Sequence, residues 1–291
     1  MCAWLRRDYR VTLILNKDSL LLGDKVLNKL EKNKQFKKLS SKGRLRLLKM
    51  HYESKVGHIG GNLSAIDIVL YLYHFMMSEC DEFVLAKGHA AGALYIALWS
   101  VGVLPDSKLT DFHGEGVKLA GHPVAGWLDQ ISVSTGSLGH GFPVACGMAM
   151  SRKLSGTAGN IYCLCSDGEW QEGSNWEALI FAKHHKLDNL VLIVDANRLQ
   201  GFGTTSDVAS VENMSERFRA FGFCVDEIDG HSFDDFERTL NPSTENNQPR
   251  VIVLNTVKGK GVSFMENKME WHYLPMNEEQ FKQAVEEVSC L

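Results

Sequence analysis

Residues 163–179, CLCSDGEWQEGSNWEAL, begin as an apolar run and end as a helix former. Between the two lie Ser166, Asp167, Gly168 and Glu169, polar or flexible groups directly after a segment whose composition belongs in a core. The run IYCLC (161–165) has four counterparts: FVL at 83–85, LVLIVDA at 190–196, FCV at 223–225 and VIVLNT at 251–256. All five are nearly uniform in polarity instead of alternating, as strands are when helices cover both faces of a sheet. Helical patterns lie between them. In LSAIDIVLYLYHFMM (63–77), Ile66, Val69, Leu70 and Tyr73 recur at helical spacing, and Ser64 and Asp67 stand at capping-box spacing. Ser232 and Asp235 repeat that spacing in SFDDFERTL (232–240), and Pro143 suits the opening turn of PVACGMAMSRKL (143–154). This alternation predicts an α/β fold, a doubly wound, mostly parallel sheet with helices on both faces.

In such sheets ligands bind in the crevice beyond the carboxyl ends of the strands. Asp167 falls just past the 161–165 strand and Asn197 just past the 190–196 strand, so neighbouring strands would point both at one crevice. The helix expected after Gly168, with Trp176, Leu179 and Ile180, would add free N–H groups and a dipole that favours an anion. A carboxylate, an amide oxygen and a helix start suit a hard divalent cation bridging to phosphate, with Mg²⁺ the usual choice. Each residue also has an ordinary reading: Asp–Gly is a common turn and Asn a common helix cap.

Gly136, Gly139 and Gly141 precede the helix at 143–154 without the order of a nicotinamide-binding fingerprint. They allow close approach of a ligand or, equally, of another helix. Four histidines stand in glycine-flanked or loop contexts: His58 in VGHIGG, His89 in AKGHAAG, His122 in AGHPVAG and His272 in MEWHYLP. Glycine beside histidine leaves room for a ligand against the ring, and imidazole binds phosphate and hydroxyl oxygens or moves protons near neutral pH. His184 and His185 read as surface residues, while His113 and His140 are ambiguous.

The bulk properties exclude several classes. A net charge of -4 over 291 residues gives no electrostatic case for nucleic acid or an anionic membrane. Lysines and arginines crowd residues 25–55, but interspersed glutamates and apolar residues suggest a solvated helix face. Seven cysteines without a CxxC pair fit a reducing cytoplasm, and Cys163 and Cys165 read as small buried hydrophobes. The opening MCAWLRRDYRVTLIL is too short and interrupted for a signal peptide or membrane span. Without repeats or a linker, residues 1–40 read as an extension with the first helix and 41–291 as one domain.

From about residue 40 to 275 the chain resembles the thiamine-diphosphate-binding N-terminal domain of transketolases, most nearly that of split, two-chain enzymes. The resemblance rests on ordered motifs: GHIGGNLSAID (57–67), DEFVLAKGHA (81–90), AGHPV (120–124), STGSLGHGFPVACGMAM (134–150), SDGEWQEGSNWEA (166–178), LDNLVLIVDANRLQGFG (187–203) and VKGKGVSFMEN (257–267). It implies that Asp167, Asn197 and the Leu199 carbonyl bind magnesium, which grips the cofactor's diphosphate. Gly168, Asn197, His89 and His272 are then diphosphate contacts. Gly136, Ser137 and Leu138 lie against the aminopyrimidine. His58, His122 and His272 act on substrate, and Glu172 and Glu177 stand near the interface between active sites.

Ser166 replaces a usual glycine, Ile59 a common proline, Tyr273 a common glycine and His140 a frequent glutamine. Phe202 falls in a usually more polar stretch, and the segment from Met77 to Asp81 is short. The resemblance implies that the family's next domain, with the glutamate that activates the cofactor, lies outside this chain. The resemblance therefore implies inactivity alone. A partner subunit would bear the pyrimidine-binding and C-terminal domains, as a pair of heterodimers transferring a two-carbon ketol unit from ketose to aldose. Alternatives are a specialised enzyme for an unusual sugar, ketol transfer of the deoxyxylulose-phosphate-synthase kind, and a non-catalytic scaffold.

Overall fold

A computed structural model describes residues 29–116, 118–240 and 248–291. In chain order it contains α1 (Lys29–Ser54), α2 (Ile59–Tyr71), β1 (Glu82–Leu85), α3 (Ala91–Ser100), α4 (Gly141–Ser155), β2 (Ile161–Ser166) and α5 (Gly173–His184). There follow β3 (Leu190–Ala196), α6 (Thr205–Ala209), α7 (Met214–Ala220), β4 (Cys224–Asp229), α8 (Phe233–Leu240), β5 (Arg250–Asn255) and α9 (Glu278–Ser289). The five strands form one sheet in the order β1-β2-β3-β5-β4, every pair parallel. The opening apolar run 1–15 lies outside the described residues.

The uniform apolarity of the strands resolves into two cores once the pleat separates alternate residues. Tyr162, Leu164, Ile193, Ile252 and Leu254 face a core shared with α1, α2, α3 and α8. Ile161, Cys163, Cys165, Leu192, Val194, Val251 and Val253 face the other, shared with α4, α5 and α7. Cys163 and Cys165 are free thiols buried in the second core, as their strand context predicts.

Several local expectations need correction. The helix around Ile66 begins at Ile59, so Ser64 lies inside it and caps nothing. Every residue of α2 is buried, making it a central helix and not an amphipathic one. Ser232 does cap α8, accepting from the Asp235 N–H at 3.2 Å, but the Asp235 carboxylate accepts from Asp229 N–H instead of returning to Ser232. The basic run is not wholly solvated: Arg44 and Arg46 are buried, and Arg44 grips Asp67 through two hydrogen bonds of 2.6 Å. Finally, β4 continues to Asp229 through Asp226 and Glu227; it pairs with β5 alone, and an edge strand tolerates carboxylates that a central one would not.

Candidate active site

Strands β2 and β3 are neighbours, with Ser166 opposite Asp195. Asp167 and Asn197 therefore emerge side by side. The Asp167 carboxylate ties the two ends together, accepting from Gly168 N–H at 2.7 Å and from Arg198 N–H at 2.5 Å. The Asn197 side chain accepts from Leu199 N–H at 3.1 Å and donates to Ser64 Oγ at 3.3 Å. The segment after Gly168 is a short 3₁₀ turn, and α5 starts only at Gly173. The turn thus leads from Gly168 into a helix that holds Trp176, Leu179 and Ile180, as expected, and its first N–H is already engaged by Asp167.

Under these loops lies a charged layer that the motifs do not announce. Asp195 and Lys87, 0% and 1% exposed, form an ion pair. Ser64 Oγ donates to Asp195 Oδ2 at 2.7 Å, and Lys87 Nζ donates to Gly61 O at 3.1 Å. Burial works to raise the Asp195 pKa, but the Lys87 ammonium and the hydrogen bonds from Lys87, Ser64 and Thr256 together outweigh it and hold the carboxyl below its usual value. Asp167 has no such ion-pair partner among the described residues: burial, reinforced by the Asp195 charge, lifts it to about 6. Lys258, 2% exposed, donates to the Leu199 carbonyl at 3.1 Å and to His272 Nδ1 at 3.0 Å. Burial and then repulsion from Lys87 lower it to about 8. The signal available in the sequence is a lone carboxylate in LVLIVDA and lysines in AKGH and VKGKG, charges embedded in runs that must be buried.

The four glycine- or loop-flanked histidines meet over this layer. The His58 ring centroid lies 5.8 Å from His89, 5.8 Å from His122 and 5.0 Å from His272, and His89 lies 5.4 Å from His272. His58 reaches the cluster from a left-handed position, φ 65°, immediately before α2, and its N–H donates to the His272 carbonyl at 2.9 Å. Gly136, at φ 138°, is required beside His122, whose ring would sit 3.0 Å from any Cβ there. Burial lowers all four pKa values, to about 4 for His58 and about 3 for His272. At neutral pH they are uncharged imidazoles, each able to donate and accept. His272 receives Lys258 at Nδ1, so its proton sits on Nε2.

The loop with Gly136, Ser137 and Leu138 is pinned on both sides of those residues. Thr135 Oγ1 donates to Leu85 O at 2.7 Å, and Gly139 N–H donates to the buried Glu169 at 3.1 Å. Burial raises Glu169 to about 7, making it a further perturbed acid that its place in the sequence does not flag. Glu172 and Glu177 are exposed, at the N-cap and second turn of α5, and are not part of the histidine cluster. His184 is exposed at the end of that helix, and His140 is exposed as well.

Residues 37–289 match the transketolase, thiamine diphosphate binding domain family. The chain belongs to the transketolase family. It carries that family's thiamine-diphosphate-binding N-terminal part, within an enzyme class that transfers ketol groups. It is 42% identical over 261 residues to one subunit of the apulose-4-phosphate transketolase of Phocaeicola vulgatus, covering 86% of this chain and 92% of that protein. It is 37% identical over 243 residues to one subunit of the 6-deoxy-6-sulfo-D-fructose transketolase of a Clostridium species, covering 80% and 88%. The fold superposes on the transketolase of Campylobacter jejuni with a TM-score of 0.81 and 30% identity, over 88% of this chain and 43% of that one. For the transketolase of Leishmania mexicana the values are 0.80, 26%, 86% and 40%. The chain thus spans less than half of these solved transketolases.

Proposed function

We propose that this chain anchors thiamine diphosphate and Mg²⁺ for a two-chain, cytoplasmic transketolase whose remaining domains lie on a partner subunit, assembled as a pair of heterodimers. The observation that carries the reading is the convergence of His58, His89, His122 and His272 on the paired strand ends of Asp167 and Asn197. The residues fit the cofactor. Asp167, Asn197 and the Leu199 carbonyl are hard oxygen donors of the kind Mg²⁺ takes, and the Leu199 carbonyl already faces a cation, Lys258. Gln200 Nε2 is buried without a hydrogen-bond partner beside Gly168, a donor suited to a phosphate oxygen.

Bound there, thiamine diphosphate supplies the carbanion chemistry of ketol transfer. The chain's own residues bind and orient. Gly168, Asn197, His89 and His272 hold the diphosphate, Lys258 offsets its charge, and Gly136, Ser137 and Leu138 support the aminopyrimidine. Neutral His58 and His122 bind sugar hydroxyls and exchange protons with them, with His272 at the edge of that pocket. Glu172 and Glu177 lie toward the partner. The activating glutamate and much of the sugar pocket come from the partner. The relatives' names, which give apulose-4-phosphate and 6-deoxy-6-sulfo-D-fructose, support an unusual sugar as substrate here.

No helix among the described residues is long and apolar enough to cross a membrane. Calorimetry tests the anchoring role: the chain should bind thiamine diphosphate in a Mg²⁺-dependent manner, and Asp167→Ala should abolish that binding. Unaltered binding by Asp167→Ala would contradict it.

A further inference from the structure

Lys258 is buried, and the backbone that carries its ammonium to the crevice is hydrogen-bonded on both sides. The segment 257–260 is gripped from below by a cluster that takes no part in the site. Arg44 on α1 donates to both carboxylate oxygens of Asp67 on α2 at 2.6 Å each, and Ser40 Oγ donates to the same carboxylate at 2.6 Å. Asp67 Oδ2 in turn lies 2.8 Å from His231 Nδ1. The carboxylate accepts only, so Nδ1 carries the proton and Nε2 is left as an acceptor. Nε2 accepts from the Val257 N–H at 3.0 Å. Three residues on, the Lys260 carbonyl accepts from Arg44 Nε at 3.2 Å. One charged cluster therefore fixes an N–H on one side of Lys258 and a carbonyl on the other.

The grip is one-directional in hydrogen bonding. Asp67 is held well below the usual carboxylate range: burial opposes this, and the Arg44 charge and hydrogen bonds override it. An ionised Asp67 keeps His231 in the tautomer that receives Val257. Between the two clamped positions the backbone is closed further by Gly259 N–H donating to Gly60 O at 2.9 Å and Asn267 N–H donating to Lys258 O at 2.9 Å.

We propose that His231 is a positioning residue for the diphosphate site: backed by Asp67 and Arg44, it sets the backbone from which Lys258 reaches the crevice. The inference rests on the reading of that crevice as a diphosphate site. It assigns His231 an effect on anion affinity without any contact to the anion.

The two ring nitrogens can be tested apart. Asn at 231 reaches the Nδ1 position and keeps a donor to Asp67, whereas Gln reaches the Nε2 position and keeps an acceptor for Val257. The probe is inorganic pyrophosphate with Mg²⁺, titrated calorimetrically into the full chain. His231→Asn should weaken binding about tenfold, as loss of a supporting hydrogen bond behind a ligand does elsewhere, while His231→Gln should stay within about threefold of wild type. Lys258→Met should weaken binding, and adding His231→Asn to it should cost nothing more, since coupled residues are non-additive.

Wild-type affinity for His231→Asn overturns the inference, as does a full additional loss in the Lys258→Met background. Equal losses for His231→Asn and His231→Gln, with matching drops in melting temperature, overturn it too, because they mark a purely structural histidine. Wild-type affinity for Lys258→Met removes the diphosphate reading of Lys258 and the inference with it, an outcome distinct from the first.

Discussion

Asp167 and Asp195 lie on adjacent strand ends yet differ in charge behaviour, and on the proposed reading the difference separates a structural carboxylate from a metal-binding one. Asp195 is neutralised by Lys87 and receives hydroxyls from Ser64 and Thr256. Among the described residues, Asp167, also buried, is met only by two backbone N–H groups, and its pKa rises to about 6. A folded-state pKa above the unfolded one means that Asp167 destabilises the fold progressively as pH rises from the unfolded value of about 4 to about 6, and in full above that. A bound cation would reverse that. Asp167→Asn removes the buried charge, worth roughly 1–3 kcal/mol for a shift of this size, and leaves one N–H without an acceptor at a similar cost of about 1–3 kcal/mol. The two offset. Urea denaturation of the variant without ligand should therefore stay within about 1–2 kcal/mol of wild type, while calorimetry shows its Mg²⁺-dependent cofactor binding lost. A large loss of stability would mean that Asp167 holds the fold and not a metal.

Strand and helix positions are legible in the sequence because uniform apolar runs and capping residues report local structure. What the runs cannot report is their neighbours. The apolar run marks β4 only over 223–225, whereas the strand extends to Asp229, since its edge position is what admits Asp226 and Glu227. Ser64 has the spacing of a cap and is instead a hub between α2 and β3, because its partner Asp195 lies 131 positions away. The same blindness hides Lys87, Asp195 and Lys258, whose roles exist only once α2, β1 and β3 are stacked. The histidines are legible for the opposite reason: adjacent glycines mark His58, His89 and His122 locally, and a loop context marks His272. The central burial of α2 yields a further expectation. Ile66, fully buried, should cost about 2–5 kcal/mol as Ile66→Ala. Leu30→Ala on the exposed start of α1 (63% exposed) should stay within about 0.5 kcal/mol. Chemical denaturation of the two variants checks both, and equal losses would contradict the assignment of α2 as the inner helix.

Across the molecule as a whole, burial shifts the ionisation of histidines both in the crevice and away from it. His51, His58, His74, His89, His122 and His272 all have lowered pKa values, with burial the first cause in each. The unfolded chain protonates these groups near pH 6.5, whereas the folded chain does so only nearer 4 for His58 and 3 for His272. Their stabilising contribution is full above about pH 6.5 and is lost as pH falls through the interval down to the folded values. Asp167 and Glu169, at about 6 and about 7, act in the opposite direction, since they protonate first in the folded state. Six histidines outweigh two carboxylates. The urea midpoint of the chain without ligand should therefore fall between pH 7 and pH 5; a rise would show that the carboxylates dominate.

An assembly in which one subunit anchors a cofactor and another activates it makes a sharp demand on turnover. The direct measurement is steady-state ketol transfer between sugar phosphates, with Mg²⁺ and thiamine diphosphate, by the chain alone and mixed with its partner subunit. The expected result is turnover only in the mixture, abolished there by Asp167→Ala. Turnover by the isolated chain, or full activity of the Asp167→Ala mixture, would contradict the account.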